Sequence, residues 1–87
     1  MPKPDAIALA TRFVAALHAG TRGKPGQFRS IADCAERAGI AKPADIERAM
    51  RTAEAGGLLV VHVSEPMVML TAKGREAARG RTGAGRA

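Results

Sequence analysis

The chain has 87 residues, a formal net charge of +6 and only two aromatic residues, Phe13 and Phe28. This length allows one domain with a small core, and so few aromatic side chains argue against a module that reads single-stranded nucleic acid by base stacking. The positive charge favours a polyanionic partner, most often nucleic acid, although the same charge also keeps a small domain in solution.

The cysteine count and the hydropathy pattern indicate the cellular compartment of the protein. The single cysteine, Cys34, rules out an intrachain disulfide and favours an intracellular, cytoplasmic protein. No apolar run approaches the roughly 18 residues that a membrane span needs. Asp5 and Arg12 interrupt the N-terminal apolar stretch, which is therefore not typical of a secretory signal. We expect no contact with a membrane.

The N-terminal region predicts a long apolar helix. Residues 1–4 form an extended lead-in, and a helical pattern then runs from Asp5 to about His18. The Asp5 carboxylate suits a helix N-terminus, and we expect Gly20 to end the helix in a left-handed conformation. The helix is apolar on more than one side, and the chain offers few other elements to cover it. We therefore expect a homodimer formed through helix 5–18.

A loop, a short strand and a short helix come next. Residues 21–26 have the composition of a loop, and residues 27–29 predict a very short strand. Ser30 is a good N-cap for a helix that runs to about Ala38. Gly39 then provides a turn that favours a left-handed backbone.

A second helix is predicted from Pro43 to Ala55. Proline suits the first helical position, and two glycines, Gly56 and Gly57, follow the last turn. The inward stripe of this helix consists of Ile46, Ala49, Met50 and Ala53. With the preceding helix and Gly39, it forms a helix-turn-helix.

The C-terminal third predicts a β-hairpin and a final helix. Two β-rich runs, residues 58–63 and 67–70, are separated by a tight turn. Thr71 is expected to cap a helix that continues through about Arg79. The remaining residues, 80–87, are rich in glycine and arginine and predict a flexible basic tail.

Several residues recur at the spacing of a known DNA-binding domain. They are Ala35, Gly39, Ile40, Ile46, the Gly57-Leu58 pair and the segment Leu70-Thr71-Ala72-Lys73-Gly74. With these residues, the chain from 5 to 79 resembles the winged helix-turn-helix domain of bacterial transcription regulators. Its last segment is similar to the Leu-Thr-x-x-Gly that often closes the wing in such repressors.

The resemblance implies a mainly α fold with a small β-hairpin, of the α+β class, in the order helix-strand-helix-helix-strand-strand-helix. It also implies a repressor-like regulator that binds double-stranded DNA with helix 43–55 in the major groove. Two features depart from the family pattern. The turn is one residue longer than the commonest spacing, so Ile46 falls one position late, and the wing tip at 64–66 carries no Lys or Arg.

Positive charge flanks the helix-turn-helix instead of lying within it. Residues 20–29 carry a net charge of +3 and residues 71–87 carry +4, whereas residues 30–56 carry −1. Arg22, Lys24 and Arg29 are therefore candidate contacts to DNA phosphates, as are Lys42 and the amide groups near Ser30.

The outward face of helix 43–55 holds the candidates for base recognition. At about 100° per residue, the direction opposite the inward stripe is occupied by Ala44, Arg48, Arg51 and Ala55. Arginine suits bidentate contact with guanine, and the small residues allow the backbone to approach. The alternative is an ordinary exposed face with pairs four residues apart, such as Glu47 with Arg51.

The tail contains Arg79-Gly80-Arg81, a sequence that fits a narrow minor groove rich in A·T pairs. It is similar to the core of an AT-hook, although Thr82 replaces the usual proline. The alternative is a solvated tail without a DNA contact.

Other functions have less support in the sequence. His18 and His62 lack metal-ligand spacing with Cys34, and residues 20–26 lack the spacing of a phosphate-binding loop. We therefore expect no enzyme activity, no metal and no cofactor. A winged-helix module that binds another protein without reading DNA is the first alternative, and a small RNA-associated protein is the second.

Overall fold

The structure, a computed structural model, describes the backbone of residues 5–84 and the side chains of residues 5–80. Its elements in chain order are α1 (Ala6–Thr21), β1 (Phe28–Ser30), α2 (Ile31–Ala38), α3 (Pro43–Ala55), β2 (Leu59–Val61), β3 (Met67–Leu70) and α4 (Ala72–Ala84). The expected mainly helical α+β class, with its small antiparallel sheet, is confirmed. The predicted lead-in at 1–4 and the end of the predicted tail, 85–87, lie outside the described residues.

Helix α1 is longer than its sequence pattern predicts. Asp5 caps it, since its Oδ1 accepts the Ile7 amide at 3.4 Å. The predicted end at Gly20 is wrong, because the helix continues to Thr21 and the left-handed residue is Arg22, at φ 55°. The hydroxyl of Thr21 is buried and donates to the Leu17 carbonyl at 3.0 Å. This internal bond favours a helical Thr21 and moves the cap two residues beyond Gly20.

Helix α1 forms the centre of the core. Its buried residues are Leu9, Ala10, Phe13, Val14, Ala16, Leu17 and Thr21. Ala49 and Ala53 of α3 are fully buried, and such small side chains let α3 pack closely on α1. The chain therefore covers most of the apolar surface from which we expected a homodimer. Ile7, with 68% exposure, is the one large apolar residue of α1 that stays exposed.

The two helices predicted on either side of Gly39 form at the expected boundaries. Ser30 caps α2 by accepting the Asp33 amide at 3.1 Å, and Gly39 is left-handed at φ 74°. Ile40 is buried and its amide donates to the Ala35 carbonyl at 2.9 Å. Ile46, expected on the inward stripe of α3, is only half-buried against the core.

The three strands form an antiparallel sheet in the order β1-β3-β2. Strand β2 is shorter than the predicted 58–63, because His62 begins the turn. Its Nδ1 accepts the amides of Ser64 and Glu65 at 3.2 and 3.1 Å. Val63 at the tip is 98% exposed.

Helix α4 is joined to the sheet by the Leu-Thr-x-x-Gly segment. Thr71 Oγ1 accepts the Gly74 amide at 3.0 Å and donates to the Gly57 carbonyl at 2.6 Å. Thr71 therefore caps α4, as predicted, and also ties it to the end of α3. The helix continues to Ala84, five residues past the expected end at Arg79.

Candidate nucleic-acid interface

The outward face of α3 carries its charges in pairs. Ala44 and Arg51 are exposed, as predicted. However, the Nε of Arg51 lies 2.7 Å from Glu47 Oε2, and its Nη1 lies 3.3 Å from Glu54 Oε1. The hydrogen bond and charge of Glu47, and then those of Glu54, raise the pKa of Arg51. Arg51 is therefore exposed, as base recognition would require. It also forms the pair with Glu47 that the alternative interpretation of this face predicts.

Arg48 does not extend freely from α3. Its side chain is 37% exposed, and its Nη1 lies 3.7 Å from Asp45 Oδ1. That nitrogen is buried and makes no hydrogen bond within the described residues. Arg48 would therefore have to leave the surface of α3 before it could contact a base.

Phosphate contacts were predicted at the starts of α2 and α3, and the two places differ in whether their polar groups already have hydrogen-bond partners. Lys42 is exposed at the N-cap of α3, and its side chain makes no capping hydrogen bond. Ser30, in contrast, is half-buried, and its hydroxyl accepts the Asp33 amide. The next amide, that of Ile31, donates to the Pro66 carbonyl at 2.9 Å. Lys42 is thus open to a phosphate, while the start of α2 is largely satisfied within the chain.

The predicted cations of the first loop come together at the end of α1. Arg22, Lys24 and Arg29 line one polar recess with Gly20, Thr21 and Gln27. Arg29 donates to the Phe28 carbonyl at 2.9 Å and to Gln27 Oε1 at 3.0 Å. Both acceptors are neutral, so these hydrogen bonds position the guanidinium without compensating its charge.

Sequence reasoning missed a fourth cation beside this recess. Arg37 lines a second recess, which shares Gly20 and Arg29 with the first and also includes Asp33. Arg37 lies one helical turn after Asp33, on the side of α2 that faces α1. Residue spacing along α2 places these two on one side, but it does not reveal that α1 ends opposite them.

The predicted minor-groove contact has a different backbone from the expected one. Arg79 is exposed, and α4 packs on α1 and β3. The backbone from Arg79 to Arg81 is helical, whereas a flexible tail was expected from Gly80 onward. The side chain of Arg81 lies outside the described residues.

The two sides of α2 differ in character. Toward α1 lies the basic surface just described, and toward α3 lies an apolar groove. The groove is lined by Ala32, Glu36, Gly39, Ile40, Ala41 and Ile46. Helix α2 therefore separates the cations from the face of α3.

The described residues offer little for metal or thiol chemistry. They contain no group of three or more His, Cys, Asp or Glu side chains that could hold a metal ion. Cys34 is 3% exposed, and burial, followed by the charge of Asp33, raises its pKa to about 11. Such a thiol is a poor nucleophile at neutral pH. No helix in this part of the chain is long and apolar enough to cross a membrane.

Comparisons with known protein families, curated proteins and solved structures found no match to this chain. The functional assignment therefore depends on the fold, the charge distribution and the contacts described above.

Proposed function

We propose that the chain is a winged helix-turn-helix domain that binds double-stranded DNA as a repressor-like transcription regulator. The observation that carries the proposal is that two helices, α2 and α3, follow each other through a left-handed Gly39 and accompany an antiparallel sheet in the order β1-β3-β2. In such a domain the second helix of the pair enters the major groove. Here that helix is α3.

Affinity and specificity would come from different parts of the molecule. Arg22, Lys24 and Arg29 provide charge for phosphate contacts, which supply most of the salt-dependent affinity. Base contacts would come from Arg48 and Arg51, each of which has to exchange an acidic partner on α3 for a guanine. The proposal therefore predicts strong general binding and a smaller sequence-specific increment.

A homodimer remains part of the proposal. Ile7 and the exposed alanines of α1, Ala8, Ala15 and Ala19, are the surface available to a second copy. Two copies would place two α3 helices at half-sites separated by one or more helical turns.

Selection from a random duplex library at two salt concentrations tests the proposal. We expect enrichment of a motif and an affinity that falls linearly with the logarithm of salt concentration. Replacing Arg48 or Arg51 with Ala should weaken binding to that motif by about tenfold to a hundredfold for each base that the arginine recognises. Selection without enrichment, or binding insensitive to salt, would reject a sequence-specific regulator.

The apolar groove between α2 and α3 favours a second candidate, a module that binds another protein. Its floor contains Ile40 and Ile46, and Glu36 is the charged residue in its lining. Apolar clefts of this kind suit a helix from a partner. Absence of DNA retention at low salt would favour this candidate over the first.

A further inference from the structure

Four cationic side chains surround the last turn of α1, although they come from separate parts of the sequence. Arg22 and Lys24 follow the helix, Arg29 lies on β1, and Arg37 lies on α2. They line two adjoining recesses, and Gly20 and Arg29 belong to both. The cations therefore form one continuous surface, which we call the α1–α2 recess.

Arg37 lies over the last turn of α1, beside Gly20. A Cβ atom at Gly20 would be 3.7 Å from the Nε of Arg37, an ordinary van der Waals distance, so the guanidinium lies close to this turn with room for a methyl group between them. The helix end beneath it also carries partial negative charge, which favours a cation at this position.

The charge of the α1–α2 recess is largely uncompensated. Within the described residues, the ion pairs are those of Arg48 and Arg51, and both lie on α3. Arg29 has only neutral hydrogen-bond acceptors. Asp33 is the acidic residue in the lining, against four cations. The lining side chains thus carry a net positive formal charge, and an anion could bind there without displacing an ion pair.

We propose that the α1–α2 recess is a phosphate-binding site, with Arg29 and Arg37 as its principal ligands. Guanidinium groups bind phosphate oxygens through paired N–H donors, and Arg22 and Lys24 supply further charge at the rim. The inference rests on the proposed function and extends it, with a backbone phosphate of a bound duplex as the ligand. The same chemistry would accept a free phosphate compound.

Salt dependence of duplex binding tests the nucleic-acid source of the phosphate. The variant R37Q removes one proposed phosphate ligand, and K73Q removes the same charge from an exposed position on α4 as a matched control. We expect the slope of log affinity against log salt to fall by about 0.9 for R37Q and to stay unchanged for K73Q. Equal slopes for R37Q and K73Q would overturn the assignment of Arg37 as a phosphate ligand.

Pyrophosphate titration followed by amide NMR tests the recess independently of DNA. We expect saturable shifts concentrated at Gly20, Arg29 and Arg37 in the wild-type chain and their disappearance in R37Q. These shifts would support the site even if the chain failed to bind duplex, in which case only the proposed function would fail. Shifts that are absent, or spread evenly over the surface, would overturn the phosphate site itself.

Discussion

Arg12, on α1, donates a hydrogen bond to the backbone carbonyl of Gly39 at 3.0 Å. The same guanidinium donates twice to the Ala38 carbonyl, at 2.7 Å from Nη2 and 3.2 Å from Nε. Carbonyls at a helix C-terminus have no partner within the helix, and a cation there complements the helix dipole. A single side chain thus joins α1 to the turn between α2 and α3.

Replacing Arg12 with Met should destabilise the domain. Methionine keeps much of the aliphatic stem but removes every donor, so the carbonyls of Ala38 and Gly39 lose their charged partner. We expect the free energy of unfolding to fall by about 1–2 kcal/mol, since charge-assisted bonds contribute up to about 3 kcal/mol and these are partly exposed. Urea denaturation measures this change. The control R79M, on the exposed side of α4, should stay within about 0.5 kcal/mol of wild type.

Local chemistry made much of the fold predictable. Ser30, Gly39 and Pro43 act through their immediate neighbours, and the bounds of α2 and α3 were predicted correctly from them. The end of α1 was predicted wrongly, because Gly20 is only a permissive residue and the buried hydroxyl of Thr21 extends the helix.

The candidate site was less predictable because it depends on contacts between distant residues. Arg37 meets Arg29 only because α2 packs against the end of α1. The burial of α1 likewise depends on α3, which packs closely across α1 because Ala49 and Ala53 are small. The sequence does not show that these two alanines face α1. Charge counts by segment could locate the cations along the chain, but not the one surface on which they meet.

Gly74 is the position in the Leu-Thr-x-x-Gly segment least able to accept a side chain. A Cβ there would overlap the Leu58 carbonyl oxygen and lie 2.8 Å from its carbon, and both are backbone atoms with little freedom to move. Gly74→Ala should therefore destabilise the domain by about 3 kcal/mol, at the upper end of typical overpacking costs. Thermal unfolding followed by circular dichroism measures this destabilisation.

Gly80, on the same helix, provides the matched control for that substitution. Nothing lies within 4 Å of a Cβ at Gly80, and alanine is the better helix former by about 1 kcal/mol. Gly80→Ala should consequently leave stability unchanged or raise it slightly. A similar destabilisation in both variants would mean that α4 does not pack against Leu58 as described.

Cys34 should make stability depend on alkaline pH. Burial raises its pKa from 9.0 to about 11, so the folded chain favours the neutral thiol. This contribution is complete below about pH 9 and is lost as the pH rises through about 11. By about pH 10.5, wild type should lose about 1–2 kcal/mol more than Cys34→Ala does, relative to pH 8. Urea denaturation of both proteins at the two pH values measures the difference, and parallel decreases would contradict it.

Glu47 should limit the affinity of α3 for DNA by holding Arg51. The variant E47Q removes the partner at 2.7 Å and leaves the guanidinium with Glu54 alone. We expect the affinity for the selected duplex to rise about two- to fivefold, in proportion to the modest strength of an exposed ion pair. Fluorescence anisotropy with a labelled duplex measures this rise. The control E76Q, an equal charge change on α4, should produce a smaller increase. In an R51A background, E47Q should raise the affinity no more than E76Q does, and a full rise of about two- to fivefold there would show that Arg51 does not contact the DNA.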